Sequence, residues 1–505
     1  MVLKNWLQDL EYELVQGSLE AEVNEVVYDS GKAQPGAVFV CMEGTRVDSH
    51  RFVPEVLKAG VRVLLTERDI KEELKASGLS GEALSQVTVL RTVDGRVGLA
   101  LLSAARFGYP AKRMVTIGVT GTKGKTTTTH MIKAMLEASG KKVGMIGTTG
   151  MVMGDRVIPT VNTTPESYQL HKAFREMADG GCRYMVMEVS SQGLKMHRVA
   201  GIEFDYGIFT NISPDHIGPD EHETFEEYLH YKSQILTRCK VGLVNCNDSH
   251  FQEIVRNASC KLYTYSVAGE KEEDRGDFAA SGIRYVSHSD FVGTEFDVTG
   301  AYEMKVRLGI PGLFNVENAL AAVSLCSFLG LSKEGMGQAL EHIRVNGRME
   351  IVHTSRRCTV IVDYAHNAVS MEGLLSTLRE YHPKRLVVVF GCGGNRSKDR
   401  RYSMGEIGGR LADLSILTAD NSRDEKVEDI LADIRSSIEK TGGAFVEIPD
   451  RREAIAYSIL HGEEGDMIAV IGKGHEDYQE IKGVRYHFVD REVIQEVLGE
   501  LGDRA

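Results

Sequence analysis

The chain has 505 residues, a formal net charge of −13 and 42% hydrophobic residues. That length is too great for one core and points to about two to four domains, while the apolar fraction excludes a disordered chain. The acidic balance argues against nucleic acid as the main partner. The eight cysteines are scattered with no C-x-x-C pair, so neither a disulfide framework nor a zinc ribbon is indicated. The opening MVLKNWLQDLEYELV carries acids where a signal peptide needs an apolar run. No apolar stretch is long enough to span a bilayer, so a soluble, cytoplasmic protein is expected.

In chain order, residues 1–110 contain short β-like runs at 37–41 and 61–66 between turns and charged helical patterns. Phe107-Gly108-Tyr109-Pro110 punctuates the chain before a strong strand. From residue 114 the pattern becomes strand–helix alternation. MVTIGVTG reads as a buried strand and 125–139 as a helix stopped by Gly140. Strands follow at 143–146, 184–189, 207–210 and 241–245, with a helix over 225–238. Past Gly347 a second run has strands at 359–363, 386–390, 414–418, 445–448 and 467–471. Such alternation predicts α/β domains with mainly parallel sheets, whose ligands sit at the carboxyl ends of the strands.

At one such end stands TGTKGKTTTTH, residues 120–130. The strict phosphate-loop template wants a glycine where this chain has Val119, so the match is partial. The context, a strand before and a helix after, is nevertheless what a phosphate loop needs. Backbone N–H groups and the helix N-terminus favour an anion, Lys125 can reach terminal phosphates, and the Thr126 hydroxyl can hold Mg²⁺. The next tips are polar: MEVSS places Glu188 where a carboxylate would share that cation, and TNISPDHIGPDEH offers Asp215, His216 and His222. Lys232, on the 225–238 helix, reads by itself as an ordinary surface lysine.

Nine segments together carry a resemblance: GTKGKTT (121–127), NTTP (162–165), MEVSS (187–191), TNISPDH (210–216), FNVENA (314–319), GRME (347–350), DYAHN (363–367), FGCGGNR (390–396) and GKGHEDYQ (472–479). In this order they resemble the Mur ligases, ATP-dependent enzymes that add amino acids to the cell-wall precursor. NTTP with GKGHE resembles the branch that adds the third amino acid.

The resemblance implies three domains: an N-terminal UDP-binding α/β domain (1–110), a central phosphate-loop ATPase-like domain with a mainly parallel sheet (111–345), and a C-terminal Rossmann-like domain (346–505). ATP would meet Gly121, Thr122, Lys123, Gly124, Lys125, Thr126 and Thr127, with Asn318 near the adenine. UDP-N-acetylmuramoyl-L-alanyl-D-glutamate would meet Ser30, Thr45, Arg46, Val47, Asn162, Thr163, Thr164, Ser190 and Arg198; Met196 stands where a Gln is common. Lys232 matches a carbamylated lysine (N6-carboxylysine), its carbamate derived from CO₂. With Thr126, Glu188 and His216 it would serve two Mg²⁺ sites, and Lys125, Glu188, His216 and Lys232 would form the catalytic set. His222 stays unassigned.

The incoming amino acid would meet Arg396, Asp420, Asn421, Ser422, Arg423, Gly472 and Glu476. Enzymes of the family that use diaminopimelate typically carry Asp-Asn-Pro-Arg; here Ser422 replaces the proline but Arg423 is kept. A guanidinium pairs a carboxylate bidentately, and L-lysine has no second carboxylate, so meso-diaminopimelate is favoured. L-lysine, a folylpolyglutamate synthetase-like ligase, and a non-catalytic nucleotide-binding scaffold are the alternatives. Taken singly, Arg423 as a surface ion pair, His475 as a core histidine and Asn318 as a helix-start residue also stand.

Overall fold

The computed structural model describes residues 1–44, 47–218, 221–267, 275–288 and 290–502, with side chains to residue 500. Thr45 and Arg46, expected at the UDP end, lie outside the described residues. Two compact units divide the chain, Met1–Tyr265 and Ser266–Ala505. Among the described residues no helix is long and apolar enough to cross a membrane.

The first unit contains a five-stranded sheet in the order Glu13–Gln16, Thr88–Arg91, Val63–Thr66, Ala37–Val40, Glu25–Val27. Its first pair is antiparallel and the others parallel. Ala37–Val40 and Val63–Thr66 are wholly buried, which explains why they read as unbroken apolar runs. The helix Gly95–Arg106 is capped by Asp94, and its Leu99 and Leu102 pack in the same core as Val38, Val40 and Leu65.

The same unit carries the strands Lys261–Val267 (its last two residues falling in the second unit), Cys239–Asn245, Phe204–Phe209, Val115–Thr120, Tyr184–Glu188 and Val143–Gly147, side by side in that order and parallel throughout. An antiparallel meander, Gly150–Met153 and Arg156–Ile158, extends its edge. From Val115–Thr120 the chain runs out to Val143–Gly147, returns to Tyr184–Glu188, and then crosses to Phe204–Phe209 on the other side. Val115–Thr120 is therefore the place where the strand order reverses, and its carboxyl end is where such sheets bind ligands. The loop 121–124 stands there.

In the second unit a six-stranded sheet has the order Glu350–Thr354, Cys358–Asp363, Asp466–Ile471, Arg385–Phe390, Leu414–Leu417, Phe445–Glu447. Only its first pair is antiparallel. The same unit holds an antiparallel meander, Phe278–His288, Phe291–Gly300 and Met304–Leu308, and the largely buried helix Leu313–Phe328. The strands expected in both alternating runs lie within a few residues of those observed. The meander was not expected from the sequence: its alternation is broken by a register shift between Ser281 and Arg284, which blurs the period-two signal.

Candidate active site

Gly121 begins the loop with φ +145°, and a Cβ there would lie 1.9 Å from Thr210 Oγ1. No side chain fits. Gly124, at φ +88°, is the left-handed residue that starts the helix Lys125–Ala138, a conformation that glycine adopts at little cost. The loop is pinned from the neighbouring strand tip: Thr210 Oγ1 donates to Lys123 O (2.6 Å), Lys123 N–H to Asn211 Oδ1 (2.9 Å), and Thr122 N–H to Asn211 O (2.9 Å). Lys125 folds back over it, its Nζ donating to Gly121 O (2.8 Å) and Thr122 O (3.0 Å). An ammonium thus sits at a loop whose N-terminal helix dipole already favours an anion.

Glu188 ends its strand almost fully buried. Its Oε2 accepts from the Thr126 hydroxyl at 3.0 Å, and its Oε1 from Thr148 N–H at 2.9 Å. Thr126 and Glu188, both expected at a shared cation, thus stand side by side. A hydroxyl and a buried carboxylate are hard oxygen donors, the type Mg²⁺ takes together with water and phosphate oxygens. Among the described residues no three His, Cys, Asp or Glu side chains form a cluster that could hold a metal ion by itself.

Lys232 is not the surface lysine its helix suggests. It is 1% exposed, its Nζ donates to Gly121 O at 2.7 Å, and it lies 4.8 Å from the centre of the Tyr228 ring. Burial, and secondly the charge of Lys125, push its pKa well below the ordinary lysine value, against a smaller pull from Asp215. At any pH it therefore carries a larger neutral fraction than a free lysine. His216 is exposed, with φ +54°, its Nδ1 2.8 Å from Glu221 and its ring 6.1 Å from that of Tyr228. His222 is buried against Tyr228 and Tyr231, and its backbone bonds close the turn: His222 N–H donates to His216 O and Gly218 N–H to His222 O. Tyr228, wholly buried, stands 3.1 Å from Thr122 Oγ1 and so ties the Lys232 helix to the loop.

The proposed dipeptide contacts form a connected arc. Thr164 Oγ1 donates to Glu188 O (3.0 Å) and accepts from Ser190 N–H (2.9 Å). Ser190 caps the helix Ser191–Lys195 through Gly193 N–H, and Arg198 donates to Thr164 O (2.9 Å). Thr163 Oγ1 lies 3.3 Å from the hydroxyl of Thr148, whereas Asn162 is exposed. Tyr28, which accepts from Gln169 Nε2 (2.7 Å) and feels the charges of Glu166 and Arg198, brings the Asp29–Ser30 turn towards this arc. Val47 is 44% exposed, and its carbonyl accepts from Gly44 N–H.

In the second unit, Asp420, Asn421 and Ser422 are buried, with Asn421 Nδ2 donating to Glu476 Oε2 at 2.9 Å. Gly472 (φ +111°) approaches Asp420 Oδ2 so closely that a Cβ would lie 3.3 Å from it. Arg423 adopts φ +51°; it donates to Gly394 O at 2.7 Å and its Nε lies 3.6 Å from Glu480, which fixes the guanidinium plane. A Cβ on Gly394 would sit 1.9 Å from Ser422 O, so the glycine loop and the Asp420–Arg423 segment are in direct contact. Arg396 is exposed. Asn318 is buried in its helix and donates to Asn315 Oδ1 (3.2 Å). His475 is held neutral to about pH 4, by burial first and then by Arg348, which suits its packing beside Tyr364.

Sequence reasoning missed Thr148, Tyr228, Asn211 and Lys473. The first three hold Glu188 and the loop; the last lies fully buried beside Asn421 and Glu476. Asn211 stands inside a segment already marked as a polar strand tip and Lys473 inside one of the segments that carry the resemblance, which was the available signal. Thr148 and Tyr228 carry no such mark.

Residues 119–326 match the family described as Mur ligase middle domain, and 347–474 that described as Mur ligase, glutamate ligase domain. The UDP-N-acetylmuramoyl-L-alanyl-D-glutamate--2,6-diaminopimelate ligase of Caldanaerobacter subterraneus subsp. tengcongensis is 38% identical over 502 residues, 99% of each chain. The same-named protein of Clostridium perfringens is 37% identical over 505 residues, again 99% of each. A solved structure of a ligase of that name superposes with a TM-score of 0.74 at 26% identity, covering 99% of both chains. Loop, buried acid, buried lysine and full-length likeness agree: the chain belongs to the Mur ligase family.

Proposed function

We propose that the chain joins meso-diaminopimelate to the γ-carboxylate of UDP-N-acetylmuramoyl-L-alanyl-D-glutamate, in an ATP-dependent step of peptidoglycan synthesis. The observation that carries the choice of amino acid is Arg423, held in plane by Gly394 and Glu480 beside the Asn421–Glu476 pair. One end of diaminopimelate bears both a carboxylate and an ammonium, and a guanidinium next to a carboxylate matches both. The relatives named above support the same reading.

The division of labour would follow the bounds 1–110 for the UDP end, 111–345 for ATP and the dipeptide, and 346–505 for the amino acid. A carboxylate does not condense with an amine in water, so the D-glutamate carboxylate takes the ATP γ-phosphoryl group to give an acyl phosphate and ADP. The amine then attacks the acyl carbon, and the tetrahedral intermediate collapses to amide and phosphate. Lys125 and the loop amides neutralise charge on the transferring oxygens. Mg²⁺, when bound, would supply further positive charge to the phosphates, and Thr126 and Glu188 would hold it in one site. Lys232 as a carbamate, with His216, would hold the second. A carbamate forms only from the neutral amine, which the burial of Lys232 favours.

Arg423→Ala should raise the KM for diaminopimelate about 30-fold or more, since a charge-assisted hydrogen-bonded pair contributes about 2 kcal/mol. The KM for ATP should stay unchanged. Initial rates of phosphate release measure both; an unchanged KM for the amino acid would remove Arg423 from its site.

A further inference from the structure

Lys473 is 0% exposed. An ammonium removed from water costs several kcal/mol unless its partners are well placed, and here they converge from three residues. Its Nζ lies 3.1 Å from Asn421 Oδ1, 3.5 Å from Glu476 Oε2 and 3.6 Å from Asp420 Oδ1. That Asp420 oxygen is buried and has no hydrogen bond among the described residues. Asn421 cannot turn away, because its Oδ1 also accepts from Glu480 N–H (2.9 Å) while its Nδ2 donates to Glu476. The lysine and the Glu480 N–H together fix which way round the amide stands, and through it the carboxylate of Glu476.

The charge count around this point does not close. Arg451, also fully buried, donates to the carbonyls of Ala419 and Ile471 and is matched by Asp490 through two bonds of 2.7 Å. With Arg451 matched by Asp490 and Arg423 by Glu480, Lys473 is, among the described residues, the remaining cation beside Asp420 and Glu476, both of which also act on Arg451. One negative charge is left over, on the side where Glu476 is only partly buried.

We infer that Lys473 is a positioning residue for acceptor selection: bonded to Asn421 and equally near Asp420 and Glu476, it offsets one of the two carboxylate charges, so that a single surplus negative charge meets the ammonium of a zwitterionic amino-acid end. With Lys473 neutral, two carboxylates would face the acceptor. The site would then favour a plain cation, such as the side chain of L-lysine, over an end that also carries a carboxylate. The inference rests on the proposed function, since it assigns that same site.

The test uses the full-length chain with UDP-N-acetylmuramoyl-L-alanyl-D-glutamate, ATP and Mg²⁺, and phosphate release as the readout. Lys473→Met should raise the KM for meso-diaminopimelate about tenfold or more, leave the KM for ATP within about twofold, and lower the preference for diaminopimelate over L-lysine about fivefold. Lys473→Gln, which keeps an N–H donor but no charge, should shift the preference in the same direction and is read alone if the Met variant does not fold. An unchanged KM for the amino acid in either folded variant would overturn the inference, as would an equal rise in the KM for ATP. Wild-type protein that does not use diaminopimelate would instead overturn the functional reading.

Discussion

Lys232→Ala should lose ligation activity by about 10³-fold or more while keeping its fold, a loss on the scale of removing a preorganised charge at a transition state. The substitution truncates a buried side chain and leaves a cavity that costs some stability, which thermal unfolding registers separately from the loss of activity. What it removes is the amine on which a carbamate would form, next to Gly121 and the phosphate loop. A short carboxylate such as formate, supplied at high concentration, should enter the vacated space and restore part of the rate. Phosphate release with and without formate measures this. Full activity in the variant, or no response to formate in a folded and inactive one, would discard the carbamate.

Gly121→Ala should abolish ATP-dependent turnover, by about 10²-fold or more, since a misplacement of about 1 Å near the chemistry can cost that much. The added methyl would stand 1.9 Å from Thr210 Oγ1 and 3.1 Å from both Asn211 N and O. Thr210 cannot rotate away without giving up its bonds to Thr120 O and Lys123 O. The Gly121 carbonyl, which receives Lys125 and Lys232, would shift with the loop. Gly140→Ala is the control: it too has positive φ, +71°, but open space around it, so it should cost only about 1 kcal/mol of stability and no activity. Adding Thr210→Ala to Gly121→Ala should recover part of the rate. If Gly121→Ala kept its KM for ATP and its turnover, the close packing would have no bearing on the site.

How much of this was legible beforehand depended on whether a role is written locally. Glu188 ends an apolar strand and so advertises itself; the structure finds it buried and bonded to Thr126. Lys232 has no local signature, since YLHYK reads as an exposed helix turn, and only the resemblance pointed to it. It is buried where its helix meets the loop, at Gly121 O and beside Tyr228, which contacts Thr122 across 106 residues. Thr148 was invisible for the same reason. It reaches Glu188, 40 residues on, because Val143–Gly147 and Tyr184–Glu188 are neighbouring parallel strands. Lys473 meets Asn421 across 52 residues, where two strand ends of the second unit converge. Strands were readable because burial on both faces makes them continuously apolar; the contacts between their tips were not, because sheet order is not written in any one segment.

The central claim is that this active site makes an amide with a zwitterionic acceptor. Its most direct test is an acceptor panel: full-length protein with ATP, Mg²⁺ and UDP-N-acetylmuramoyl-L-alanyl-D-glutamate, given meso-diaminopimelate, L-lysine, L-glutamate or D-alanyl-D-alanine in turn, with phosphate release followed. Release should occur with meso-diaminopimelate, at a kcat/KM about tenfold or more above that with L-lysine, as the pairing of Arg423 with a second carboxylate requires. Preference for L-lysine, or no release with any acceptor, would contradict the account.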